Sequence, residues 1–167
     1  MTSGNGSESK TRLESRFGNG SYKGYEIRLL VERTAQHEPY PLKTASDIYR
    51  FMADLSRESA EHVYELLMDA KNRVTGVYLV GKGCAYSSPV RVPEIFKAAY
   101  ATNSPAFALV HNHPSGIVEP SPEDKSLVAR VQSASDIMGM DFLDFVIIGD
   151  SRYYSFSENG LLHARRD

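Results

Sequence analysis

From about residue 25 onward, short apolar runs rich in β-forming residues alternate with amphipathic stretches at helical spacing, and nothing repeats with a period of roughly 20 to 50 residues. That alternation constrains the chain to helices packed on one sheet, an α/β (α+β) sandwich, because each element has one apolar side to bury. The run Tyr25-Glu26-Ile27-Arg28-Leu29-Leu30-Val31-Glu32 predicts a strand, which Pro39 and Pro41 break into a turn. Ile48, Phe51, Met52 and Leu55 recur at helical spacing behind two possible caps, Thr44 and Ser46, predicting a helix to about Leu55. His62 to Met68 and Val74 to Val80 read as antiparallel strands joined by the polar connection Asp69 to Arg73. Pro93 suits the first turn of a helix that should end near Asn103-Ser104-Pro105. Phe107 to Val110 reads as a buried strand, Ser121 opens a helix carrying Leu127, Val128, Val131, Ala134 and Met138, and Phe142 to Ile148 and Tyr153 to Phe156 close the sheet.

Length and composition bound the rest. The chain has 167 residues, 41% hydrophobic and 24% charged, which fits one domain plus a short tail. Residues 1–21 are Gly, Ser, Asn and charge with little to bury, so they read as a disordered leader before a domain over 22–167. The formal charge is -2, so no global positive field marks nucleic acid or an anionic membrane as partner. A single cysteine, Cys84, allows no internal disulfide, and no secretory h-region or membrane-length apolar run is visible, so the expected compartment is the cytoplasm.

The chemistry concentrates where the buried strand ends, in His111-Asn112-His113-Pro114. Alternate strand residues face one side, so His111 and His113 can aim both imidazoles at one point, the geometry of a metal site. Asp124, in the first turn of the next helix, can close the ligand set, and the prolines between limit the freedom of the intervening loop. Two imidazoles and one carboxylate leave a fourth tetrahedral position for water, which suits catalytic rather than structural zinc. A plainer reading of Asp124 stays open: with Ser121 as N-cap and Pro122 at N1, it could simply complete a capping box.

His111-x-His113-Pro114, six residues, then Ser121-x-x-Asp124, resembles the JAMM (MPN+) zinc-hydrolase motif. The fuller string HNHPSGIVEPSPED, with LMDAKNRV, VPEIFKAA and FLDFVIIG, is similar to the RadC-like branch of the JAB domain over roughly 44–162. The resemblance implies a cytidine-deaminase-like three-layer αβα sandwich around one mixed sheet, with Zn2+ on His111, His113 and Asp124 and with Ser121 supporting the transition state. It also implies a general-base glutamate at the start of an earlier strand, a place that Glu61 fits; Glu58 and Glu65 are rivals. The implied activity is that of a metalloprotease or isopeptidase acting on a peptide or protein. Departures are Leu143-Asp144-Phe145, where such proteins often have Leu-Asp-His, so Asp144 receives no site role, and a leader unlike a helix-hairpin-helix region.

Competing readings are weaker. A DNA-associated RadC-type repair or processing factor would activate water against phosphate, but no basic stripe accompanies the motif. A non-catalytic MPN-type scaffold has no reason to keep a full ligand set. A TIM barrel needs about 250 residues. Gly76 to Lys82 has P-loop spacing but spells a strand, with Gly83 where Ser or Thr is needed. His37, His62 and His163 lie apart from the motif, and Cys84 has no charged neighbour to activate it.

Overall fold

The computed structural model describes residues 40–83 and 90–163. The leader, the strand expected over 25–32, His37 and Cys84 lie outside the described residues. Among the described residues six strands, β1 (Tyr40–Pro41), β2 (Glu61–Met68), β3 (Arg73–Gly83), β4 (Ala106–Asn112), β5 (Asp141–Ile148) and β6 (Tyr153–Ser155), form one mixed sheet in the order β1-β3-β2-β4-β5-β6. Only β4 and β5 are parallel; the other four pairings are antiparallel. Packed on it are the described helices α1 (Ala45–Phe51), α2 (Val92–Thr102) and α3 (Pro122–Met138).

Alternation along the strands builds two cores, one on each face. On one face Leu67, Phe107, Leu109 and Phe145 meet Ile95, Phe96 and Ala99 of α2 and Leu127, Val128 and Val131 of α3. On the other, Leu66, Met68, Ala108, Val110 and Val146 meet Ala45 and Ile48 of α1 and the nearby Leu55. The result is the expected αβα layering. β4 is buried throughout because it lies inside the sheet with helices over both faces. Phe107 is its central anchor, edge-on to Phe96 at 5.5 Å and stacked on Phe142 at 5.1 Å. Cutting it to alanine costs about 3–5 kcal/mol, as for buried aromatics generally. Among the described residues no helix is long and apolar enough to cross a membrane.

The differences from expectation are local. Of the two candidate caps, Thr44 acts, in a capping box with Asp47, and α1 stops at Phe51; a 3₁₀ turn over Ala53–Arg57 then keeps Leu55 buried. The expected turn at Pro39 and Pro41 is in part a short edge strand, Tyr40–Pro41, against Val74 and Arg73, where proline's missing N–H is tolerated. β3 runs three residues beyond Val80 because Gly81, Lys82 and Gly83 pair with the start of β2. Asp69 closes the β2–β3 turn by accepting from the backbone N–H groups of Lys71 and Arg73 at 2.9 and 3.0 Å. α2 ends as the sequence predicts, on Asn103 in the left-handed region before Ser104-Pro105.

Candidate metal centre

β4 extends through His111 and Asn112, and His113 follows at once, its N–H donating to Ile148 O at 2.9 Å and so continuing the parallel ladder. The two imidazoles therefore leave the strand on the same side, with ring centroids 4.9 Å apart and planes at 85°. α3 begins at the same end of the sheet. Ser121 caps it, accepting from Asp124 N at 3.1 Å, while Asp124 Oδ2 accepts from Ser121 N at 2.8 Å. Asp124 thus occupies the capping box and also faces the histidines: Oδ2 lies 3.4 Å from His113 Nε2, and Oδ1 lies 3.9 Å from His111 Nε2. Both readings of Asp124 hold together.

The histidine tautomers follow from the main chain. His111 Nδ1 lies 2.8 Å from His62 O, and His113 Nδ1 lies 2.6 Å from Ile117 O. A carbonyl can only accept, so each Nδ1 carries the proton and each Nε2 keeps its lone pair for the space beside Asp124. One ligand atom from each of the three residues falls within 4.8 Å of the others. Two neutral imidazoles with backbone carbonyls behind them, plus one carboxylate, are a donor set suited to a borderline divalent cation. The residues present therefore fit a metal ion.

Electrostatics agree. Burial pushes the His111 imidazole below its ordinary value, which keeps it neutral. The Asp124 hydrogen bond raises His113 against the opposing effect of burial. Burial alone would raise Asp124, but hydrogen bonds from His113 and Ser121 outweigh it and hold the carboxyl below the usual range.

Against known proteins, residues 42–161 match the RadC-like JAB domain family. A UPF0758 protein of Chloroflexus aurantiacus is 38% identical over 137 residues, covering 81% of this chain and 60% of that protein. One from Clostridioides difficile is 35% identical over 151 residues, 87% of this chain and 64% of its own length. One from Chlorobium phaeovibrioides is 38% identical over 156 residues, 90% and 70% respectively. The chain belongs to the RadC-like JAB domain family. The chain spans about 60% of the length of the Chloroflexus relative.

In this RadC-like JAB domain the other sequence-predicted residues fall into place unequally. Glu61 opens β2 next to β4, where the pairing Val63↔His111 brings the start of β2 alongside the histidines. Burial still holds His111 below its ordinary value and the Asp124 hydrogen bond still dominates at His113, with the Glu61 carboxylate adding a lesser upward pull on each. Glu58 is exposed. Glu65 faces the apolar core, fully buried and with no hydrogen-bond partner for either carboxylate oxygen. Ser121 gives its hydroxyl proton to Asp124 Oδ2 at 2.6 Å. Asp144 lies apart from the triad and anchors the chain after β6, accepting from Ser155 Oγ at 2.5 Å and Ser157 N at 3.0 Å. His62 is buried, with its ring stacked near Tyr64, and His163 pairs with Asp136 at 3.5 Å.

Two contributors escaped sequence reasoning. Ile117 acts through its carbonyl, which no side-chain pattern reveals. Asn112, between the two histidines in sequence, is fully buried; the available signal was a primary amide in an apolar strand, which must find partners. The loop between His113 and Ser121 is held by Val118, buried in the α2/α3 core, and by Gly116 at φ +77. Gly149 lets that loop approach, since a Cβ there would collide with the Gly116 carbonyl and come within 2.6 Å of Val118 Cγ1.

Proposed function

We propose that this domain is a zinc-dependent metallopeptidase or isopeptidase, hydrolysing an amide bond with Glu61 as general base. The observation that carries the reading is the convergence of two lone-pair-bearing Nε2 atoms and one buried carboxylate, with both Nδ1 protons fixed by main-chain carbonyls. His111, His113 and Asp124 would hold the ion. Bound zinc would lower the pKa of a water to about 7 and polarise a substrate carbonyl.

The chain's own groups account for the remaining steps. Glu61 would accept a proton from the attacking water and return it to the departing amine as the C–N bond breaks, leaving a carboxylic acid and an amine. Ser121 would turn its hydroxyl from Asp124 toward the oxygen that gains charge in the transition state; loss of one such donor elsewhere costs about 3 kcal/mol of barrier. Helix α3 brings Ser121 and Asp124 to the site as one capping unit, so their separation does not depend on loop closure.

Metal analysis tests this first. Purified protein incubated with zinc and desalted should retain about one ion per chain, and His113→Ala should lose it. Glu61→Gln should keep zinc and fold while losing hydrolysis of unfolded protein substrates such as casein. Wild-type protein that takes up no zinc at neutral pH overturns the reading.

A further inference from the structure

We propose that Asn112 is a positioning residue that sets Glu61 against the metal ligands, an inference that rests on the hydrolase reading above. The β2–β4 ladder ends at Val63↔His111. One residue further on, the main-chain groups of β2 are met by side chains of β4. His62 N donates to Asn112 Oδ1 at 2.7 Å, and His62 O accepts from His111 Nδ1 at 2.8 Å. Consecutive residues of β4 thus grip both polar groups of one residue on β2.

The amide's other end completes the clamp. Asn112 Nδ2 donates to Ala60 O at 3.0 Å and reaches Glu58 O at 3.4 Å. Glu61 lies between Ala60 and His62, so its backbone is pinned on each side by the same side chain. Alternation turns Asn112 to the sheet face opposite the histidines, so it contacts neither the ion's place nor substrate and acts only through the strand it holds. The third grip, from His111, belongs to a metal ligand. The position of the base and the orientation of that ligand are therefore set by a single short stretch of β2, and Asn112 is the part of the clamp with no other duty.

A bare structural role would predict the same hydrogen bonds. The two differ in what removal does: a structural residue lowers stability and leaves Glu61 in place, whereas a positioning residue releases Glu61 while the ligands stay. The experiment uses full-length protein loaded with Co2+ alone, comparing N112A, N112D, E61Q and N112A/E61Q by cobalt uptake and by the midpoint of the pH-dependent change in the cobalt visible bands. E61Q is expected to keep about one ion per chain and to shift the midpoint. N112A should keep the ion, shift the midpoint in the same direction, and add nothing to E61Q in the double variant. N112D, which keeps the acceptor for His62 but loses the donor to Ala60, should fall between wild type and N112A. N112A with full uptake and the wild-type midpoint overturns the inference, as does an additive double variant or loss of fold in both Asn112 variants. Wild type without cobalt, or E61Q without a shift, instead overturns the hydrolase reading beneath it.

Discussion

Glu65 offers a measurement that needs neither metal nor substrate. It sits mid-strand in β2, opposite Leu109 of β4 and Tyr78 of β3, with no accessible surface and both carboxylate oxygens unpaired. Burial alone raises its pKa from 4.5 to about 8. The acid is therefore neutral in the folded protein at pH 7 and ionised in the unfolded chain. Because the folded-state value is the higher, the folded state binds the extra proton: this contribution to stability is whole below pH 4.5 and is lost as pH rises toward 8. The slope is about 1.4 kcal/mol per pH unit, and the full swing over the 3.5 units between those values is about 5 kcal/mol, comparable to the lower end of a domain's total stability. Glu65→Gln keeps the shape and removes the ionisation. Urea unfolding of the metal-free protein, followed by circular dichroism at pH 5, 6, 7 and 8, should show the wild type losing ground to the variant at each step, the gap widening at that slope. Parallel stability curves for the two proteins would falsify the claim that a neutral carboxyl is buried there.

Other perturbations follow from the site's surroundings. Gly149→Ala forces the loop over His113 away from β5, and overpacking of this kind costs about 1–3 kcal/mol; a lower melting temperature together with weaker zinc binding is expected, and an unchanged melt would refute the close approach. Zinc affinity should fall as pH is lowered, and the fall should begin above the ordinary histidine value because Asp124 raises His113 in the metal-free protein; calorimetric titration between pH 6 and 8 reads this directly. Asp144→Ala leaves Ser155 Oγ and Ser157 N without their acceptor, costing about 1–3 kcal/mol for the buried Ser155 hydroxyl, while zinc content stays at the wild-type level.

The parts legible in the sequence were those that local chemistry dictates. Period and punctuation sufficed for α3, from Ser121 to Met138, and for β4, because an apolar run that ends in His-x-His has few places to lie other than the middle of a sheet. The triad was legible because strand alternation and a helix cap are short-range rules. What escaped depends on long-range contact or on main chain. Gly81 to Gly83 have weak strand preference and join β3 only because β2 lies beside them. Pro41 pairs because a sheet edge was free to take it. Glu65 offered no warning at all: its neighbours Tyr64, Leu66 and Leu67 spell a strand, but which face becomes dry is decided by α2, nearly thirty residues away.

The placement of Glu61 has a consequence for how the domain could change over time. The three candidate ligands lie at the end of β4, just past it and on α3, whereas Glu61, the proposed base, opens β2 some fifty positions earlier. Under the proposed mechanism, ion capture and turnover are thus encoded in separate stretches of chain. On that mechanism a descendant altered only at position 61 would still fill its centre and still melt like its parent, yet cleave nothing, and metal content by itself would be no proxy for an active enzyme.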